Sequence, residues 1–213
     1  MITKDENEDK TAQLHLTNRF TNAVDYARHL HIERRKGTDI PYMAHLLGVA
    51  ALVMGESGHA GFPVTEDIVI AALLHDAVED HGGEIRLEDI ECNFGSEVAR
   101  TVEGLSDTLS ADRYNKTPWQ ERKEAYIERL KKEPADVRLI SAADKLYNAR
   151  AILEDYRQVG PLVWKRFHRG RNDQIWYFDQ LVTVFKGFEE NRIVQELERV
   201  VTDLKQISAA EEC

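Results

Sequence analysis

The segment Ala71-Ala72-Leu73-Leu74-His75-Asp76-Ala77-Val78-Glu79-Asp80 constrains this chain more than any other. The uninterrupted apolar run Ile68–Leu74 leads straight into one imidazole and three carboxylates. That run is too short for a membrane span. Thr65 as an N-cap and Gly82-Gly83 as a stop frame a buried helix over Glu66–Asp80 rather than a strand. On such a helix His75 and Glu79 stand four apart, Asp76 and Glu79 three, and Asp76 and Asp80 four, so the four groups project together. Carboxylates in a last helical turn oppose the dipole and repel one another, and burying them unpaired is costly. A bound cation relieves all of this at once, because it favours ionised carboxylates and neutral imidazole.

The rest of the chain also reads as helical. Phe20, Val24, Ala27 and Leu30 recur at three- and four-residue steps. Pro41 opens a helix through His45, Val49 and Leu52, Ser96 one through Val98, Val102 and Leu105, and Pro134 one through Val137, Ile140, Ala143, Leu146 and Ile152. Pro118–Lys132 is helical in composition. Ile193, Leu197, Val200, Leu204 and Ile207 form an amphipathic stripe that suits the chain's own core or a partner. Period-two alternation and Asn-Gly or Asp-Gly turns are missing. The expected fold is all-α, a bundle of about eight to ten helices over 13–208, preceded by a frayed polar tail at 1–12.

Composition narrows the function classes. A net charge of −10 argues against nucleic acid and anionic membranes as partners. Two cysteines, Cys92 and Cys213, make no disulfide framework and fit a cytoplasmic protein. Nothing beside Cys92 would activate it as a nucleophile. Met1–Lys10 is charged and has no apolar stretch, unlike a secretory signal.

A metal needs more than one helix turn can supply. His45 interrupts the apolar Pro41–Leu47 stretch, and Asp144 interrupts Ser141–Leu146, with Asn148 one turn later. His45, His75, Asp76 and Asp144 would give two nitrogen and two oxygen ligands, a set that suits Mn²⁺, Fe²⁺, Co²⁺ or Zn²⁺. Glu79 and Asp80 would then orient and deprotonate a water. The remaining histidines, His31 among them, read as surface or packing residues; His81, directly after the motif, is placed to touch a second ion but reads first as a loop histidine. Positive charge for an anionic substrate is available at Arg34-Arg35-Lys36 and at Lys165, Arg166, His168, Arg169 and Arg171, the second run reading first as a solvated surface.

Four stretches, RRKGTDIPYMAHLLGVA (34–50), AALLHDAVED (71–80), FGSEVARTVEGLSD (94–107) and ADKLYNAR (143–150), resemble the HD phosphohydrolase superfamily, specifically its RelA/SpoT hydrolase branch with the small alarmone hydrolases and the metazoan SpoT homologue. The resemblance implies an HD-domain bundle, Mn²⁺ on His45, His75, Asp76 and Asp144, and water activation by Glu79 and Asp80. It also implies nucleotide contacts from Arg35, Lys36 and Asn148. The implied reaction releases pyrophosphate from the 3′ position of (p)ppGpp to leave GDP or GTP, here without a synthetase region. The alternatives are an HD phosphatase acting on (p)ppApp, NADPH or a 5′-nucleotide, and a non-catalytic nucleotide-binding module. The oligomeric state is open, a homo-oligomer included.

Overall fold

In the computed structural model, which describes residues 13–106, 117–188 and 191–209, the chain is a bundle of helices. They are α1 (Asn18–Leu30), α2 (Met43–Gly55), α3 (Glu66–Leu73), α4 (Ala77–Asp80), α5 (Glu84–Phe94), α6 (Ser96–Leu105), α7 (Trp119–Leu130), α8 (Ala135–Val159), a 3₁₀ helix (Gly160–Arg166), α9 (Arg171–Phe188) and α10 (Arg192–Ala209). The all-α expectation holds, with ten α-helices and no strand among the described residues. The one β feature there is an isolated antiparallel bridge, Arg34 to Pro41. The tail at 1–12, Asp107 and Cys213 lie outside the described residues; Cys92 is an exposed free thiol.

Two helices organise the core. Every residue from Ile68 to Leu74 is buried, as expected for a helix apolar on all sides, and α3 packs against α1, α2, α6 and α8. The 25-residue α8 carries α2, α6, α9 and α10 on its flanks and is buried all round between Leu139 and Asp144. Pro134 caps its start with extended backbone, and Gly160 ends it at φ 59°. On α10, Ile193, Val194, Leu197, Val200, Val201 and Leu204 are buried, and the helix lies against α8 and α9. Its amphipathic stripe is used by the chain's own core. Each such fully buried side chain is worth roughly 1.5–3 kcal/mol.

The continuous helix expected over Glu66–Asp80 breaks. Thr65 does cap it, its side chain accepting from the Ile68 amide, but α3 stops at Leu73. The Leu74 amide is shared between the Ile70 and Ala71 carbonyls, and His75 Nδ1 takes the Ala72 carbonyl at 2.8 Å. The chain tightens through 74–76 and restarts as the single turn α4, with Asp76 at its N-cap position. Asp76, Glu79 and Asp80 therefore keep their helical spacing, whereas His75 belongs to the bend. No opposing dipole of the expected strength acts on these carboxylates, because a four-residue turn has little macrodipole. Gly82 and Gly83, at φ 123° and 59°, supply the stop.

Gly48 lets α2 approach α8 closely: a methyl there would lie 2.1 Å from the Tyr147 ring. Gly48→Ala is expected to cost about 1–3 kcal/mol by forcing that ring aside. Chemical denaturation measures it; an unchanged midpoint would contradict the tight crossing.

Candidate metal centre

Three elements deliver four donor atoms to one point. His45 comes from the first turn of α2, His75 and Asp76 from the bend between α3 and α4, and Asp144 from the middle of α8. His45 Nε2 is 3.1 Å from His75 Nε2, 3.4 Å from Asp76 Oδ2 and 3.3 Å from Asp144 Oδ1. His75 Nε2 is 3.1 Å from Asp76 Oδ2 and 3.7 Å from Asp144 Oδ1. Ligands about 2.1 Å from a tetrahedral ion stand about 3.4 Å apart, so these separations fit a common ion. The donor atoms of His45, His75 and Asp76 come together, and Asp144 Oδ1 stands against both imidazoles.

The local chemistry fits a divalent cation as well. A carbonyl only accepts, so the His75 bond to Ala72 puts a proton on Nδ1 and turns the Nε2 lone pair inward. His45 is held edge-on by two tyrosine rings, Tyr42 at 5.4 Å and Tyr147 at 5.0 Å. Tyr42 donates its hydroxyl to Asp76 at 2.7 Å; burial and the Asp76 charge push its pKa up, so it stays protonated. Asp144 accepts from Asn148 Nδ2 at 2.6 Å on one oxygen and pairs with Lys145 on the other.

Without an ion, a proton does part of the cation's work. Burial alone would lower the His75 pKa, yet the Asp76 and Asp144 carboxylates beside it win and raise it to about 10. Burial likewise works against charge on Asp76 and Asp144, but His75 beside the first and Lys145 beside the second hold both well below the usual carboxylate range. His75 is thus raised in the folded state. Its stabilisation is complete below its unfolded pKa near 6.5 and lost as pH rises through 10. Chelator-treated protein is expected to melt at a lower temperature at pH 10 than at pH 7, and excess divalent ion should reduce that decline. Equal melting temperatures in chelator would contradict it.

The four groups line a cavity of about 270 Å³, together with Glu79, Asp80 and Lys123. A neighbouring cavity of about 610 Å³ is lined by Arg35, Lys36, Asn148, Asp155, Arg166 and Phe167, among others. Asn148 and Tyr42 line both. Arg35 Nη2 donates to Asn148 Oδ1 at 2.8 Å, and its guanidinium lies over the Tyr147 ring. A small loop aims it: the Arg35 amide bonds to the Ile40 carbonyl and the Tyr42 amide to the Glu33 carbonyl. Lys36, exposed at the loop tip, lines the larger cavity and not the one at the four donors. Arg166, paired with Asp155, and Phe167 bring part of the second basic run into this cavity. Arg169 and Arg171 turn away, to Asp173 and to Ser208 and Asn172.

Sequence reasoning passed over Tyr42, Lys123 and Tyr147. Their roles arise from contacts between elements; Tyr42 and Tyr147 stand three residues from His45 and Asp144, whereas Lys123 is on α7, which carries no ligand, and gave no local signal.

An arrangement of this kind defines a class. The chain belongs to the HD-domain family, whose model matches residues 23–175. Within it, the chain is 35% identical over 187 residues to mouse guanosine-3′,5′-bis(diphosphate) 3′-pyrophosphohydrolase MESH1, covering 85% of this chain and 90% of that protein. Human MESH1 is 35% identical over 180 residues, covering 82% and 87%. A solved structure of a metazoan SpoT orthologue, described as hydrolysing ppGpp and acting in starvation responses, matches with a TM-score of 0.69 at 27% identity, over 89% of this chain and 97% of that one. Among the described residues, no helix is long and apolar enough to cross a membrane.

Proposed function

We propose that this chain is a divalent-metal hydrolase that removes the 3′-pyrophosphate of (p)ppGpp, giving GDP or GTP, with 13–208 acting as one cytoplasmic hydrolase domain and Mn²⁺ as its metal. The observation that carries this reading is the link between the two cavities. Asn148 donates to Asp144 in the metal centre, accepts from Arg35 in the larger cavity, and lines both. The larger volume, about 610 Å³, falls within the roughly 300–1,000 Å³ typical of small-molecule sites.

In this reading His45, His75, Asp76 and Asp144 hold the ion, which when bound supplies Lewis acidity for a phosphoryl oxygen and lowers the pKa of a water. Glu79 and Asp80 take the water's proton and align its oxygen with the 3′-linked phosphorus. The new P–O bond forms as the bond to the 3′-oxygen breaks; pyrophosphate leaves, and the 3′-oxygen takes a proton. Lys123 offsets charge that grows on the phosphoryl oxygens. Arg35 and Asn148 hold the nucleoside, and Lys36 adds positive charge at the cavity's outer side.

Incubating the Mn²⁺-loaded protein with ppGpp, ppApp, NADPH and 5′-GMP, with product identification, tests the proposal. Pyrophosphate from ppGpp is expected, and orthophosphate release alone would contradict it. Arg35→Ala is expected to raise KM for ppGpp about 10- to 100-fold with a smaller change in kcat, the loss of a charge-assisted contact. An unchanged KM would remove Arg35 from the site.

A further inference from the structure

A second group of donor atoms converges at the back of the first. His31 follows the last residue of α1, Glu33 lies two residues on, and His81 follows the last residue of α4. His31 Nδ1 is 2.9 Å from Glu33 Oε1 and 3.3 Å from His81 Nε2, and His81 Nε2 is 3.6 Å from Glu33 Oε1. Hydrogen bonding alone serves this arrangement poorly. One ring nitrogen of His31 faces both a carboxylate and an imidazole nitrogen, and it has a single proton or a single lone pair to offer. The other nitrogen of His31 is buried with no hydrogen-bond partner.

We propose that His31, Glu33 and His81 form a second divalent-metal site, distinct from the His45–His75–Asp76–Asp144 centre. Two imidazoles and one carboxylate suit a borderline ion such as Zn²⁺, and three protein ligands leave a position for water. Donor separations of 2.9–3.6 Å bracket the spacing of about 3.4 Å expected around a tetrahedral ion. The His31 side chain is fully buried and stacks on Tyr42 at 5.1 Å, so one ligand is preset, while His81 and Glu33 are partly exposed and give an ion a way in. The nearby Arg86 donates to the His81 carbonyl and pairs with Asp89 at 2.8 Å, so its charge is compensated.

The placement has a consequence. His31 and Glu33 immediately precede Arg34-Arg35-Lys36, and His81 immediately follows Glu79-Asp80. An ion here would tie the loop bearing Arg35 to the turn bearing the two acids, and Tyr42, which stacks on His31 and bonds to Asp76, joins the two centres.

The test is a Zn²⁺ titration of chelator-stripped, desalted full-length protein, followed calorimetrically and by elemental analysis. Wild type should bind two equivalents per chain. His81→Ala and Glu33→Gln should each bind one, and so should Asp144→Asn, which spares this site. Glu33→Gln, on a partly exposed side chain, keeps the test valid should His81→Ala fold poorly. A single wild-type equivalent that Asp144→Asn removes and His81→Ala leaves would overturn the second site while sparing the first. A single equivalent that His81→Ala removes and Asp144→Asn leaves would do the reverse.

Discussion

Asp76→Ala is expected to reduce pyrophosphate release by about a thousand-fold or more while the helical fold survives. The side chain is about one-quarter exposed, at the bend between α3 and α4, and its polar contacts are His45, His75 and the Tyr42 hydroxyl. The buried apolar groups around the bend, Leu73, Leu74, Ala77 and Val78, are untouched by the change. What is lost is one of two anionic donors. That removes the ion and also the carboxylate that contributes most to keeping His75 protonated in its absence. Helical content by circular dichroism, bound metal and pyrophosphate release must be measured on one preparation. Activity retained with Asp76 absent would exclude it as a ligand, and a collapsed helical signal would make it a structural residue instead.

Glu79→Gln should lower kcat by about 10²–10⁴ with bound metal unchanged. This pattern separates proton transfer from metal binding, since the amide keeps the shape but cannot take a proton. Glu79 and Asp80 share the turn α4 and line the same cavity as the four donors, so they serve the proton transfer as one unit. Combining Glu79→Gln with Asp80→Asn should therefore cost much less than the product of the separate losses. Full activity in Glu79→Gln, or loss of its metal, would contradict the assignment.

Much of this site was legible because it violates patterning. Charged groups that interrupt an apolar helix, as His75 and Asp76 do after Ile68–Leu74 and Asp144 does within α8, cannot be explained by packing. Their convergence was then the economical reading. Asn148 and Arg35 needed the family resemblance, since a lone amide and a basic run have many ordinary uses on a surface. The break at Leu74 was not legible: no glycine or proline marks it, and one cause is a side chain, His75, competing for the Ala72 carbonyl. His81 was legible as a candidate contact to a second ion, but its meeting with His31 and Glu33 was not, because no spacing rule connects residues fifty positions apart. They meet only because α1 and α4 end side by side. The second basic run was half read, as a surface, while Arg166 and Phe167 in fact line the large cavity.

The proposed chemistry depends on His45, His75, Asp76 and Asp144 gripping one divalent ion. Anomalous diffraction at the manganese edge from crystals soaked in Mn²⁺ tests it most directly. A peak within about 2.3 Å of both Nε2 atoms and of an oxygen from each aspartate is the expected result. A map without density among these four side chains, from crystals whose protein turns over ppGpp in the same solution, would contradict it.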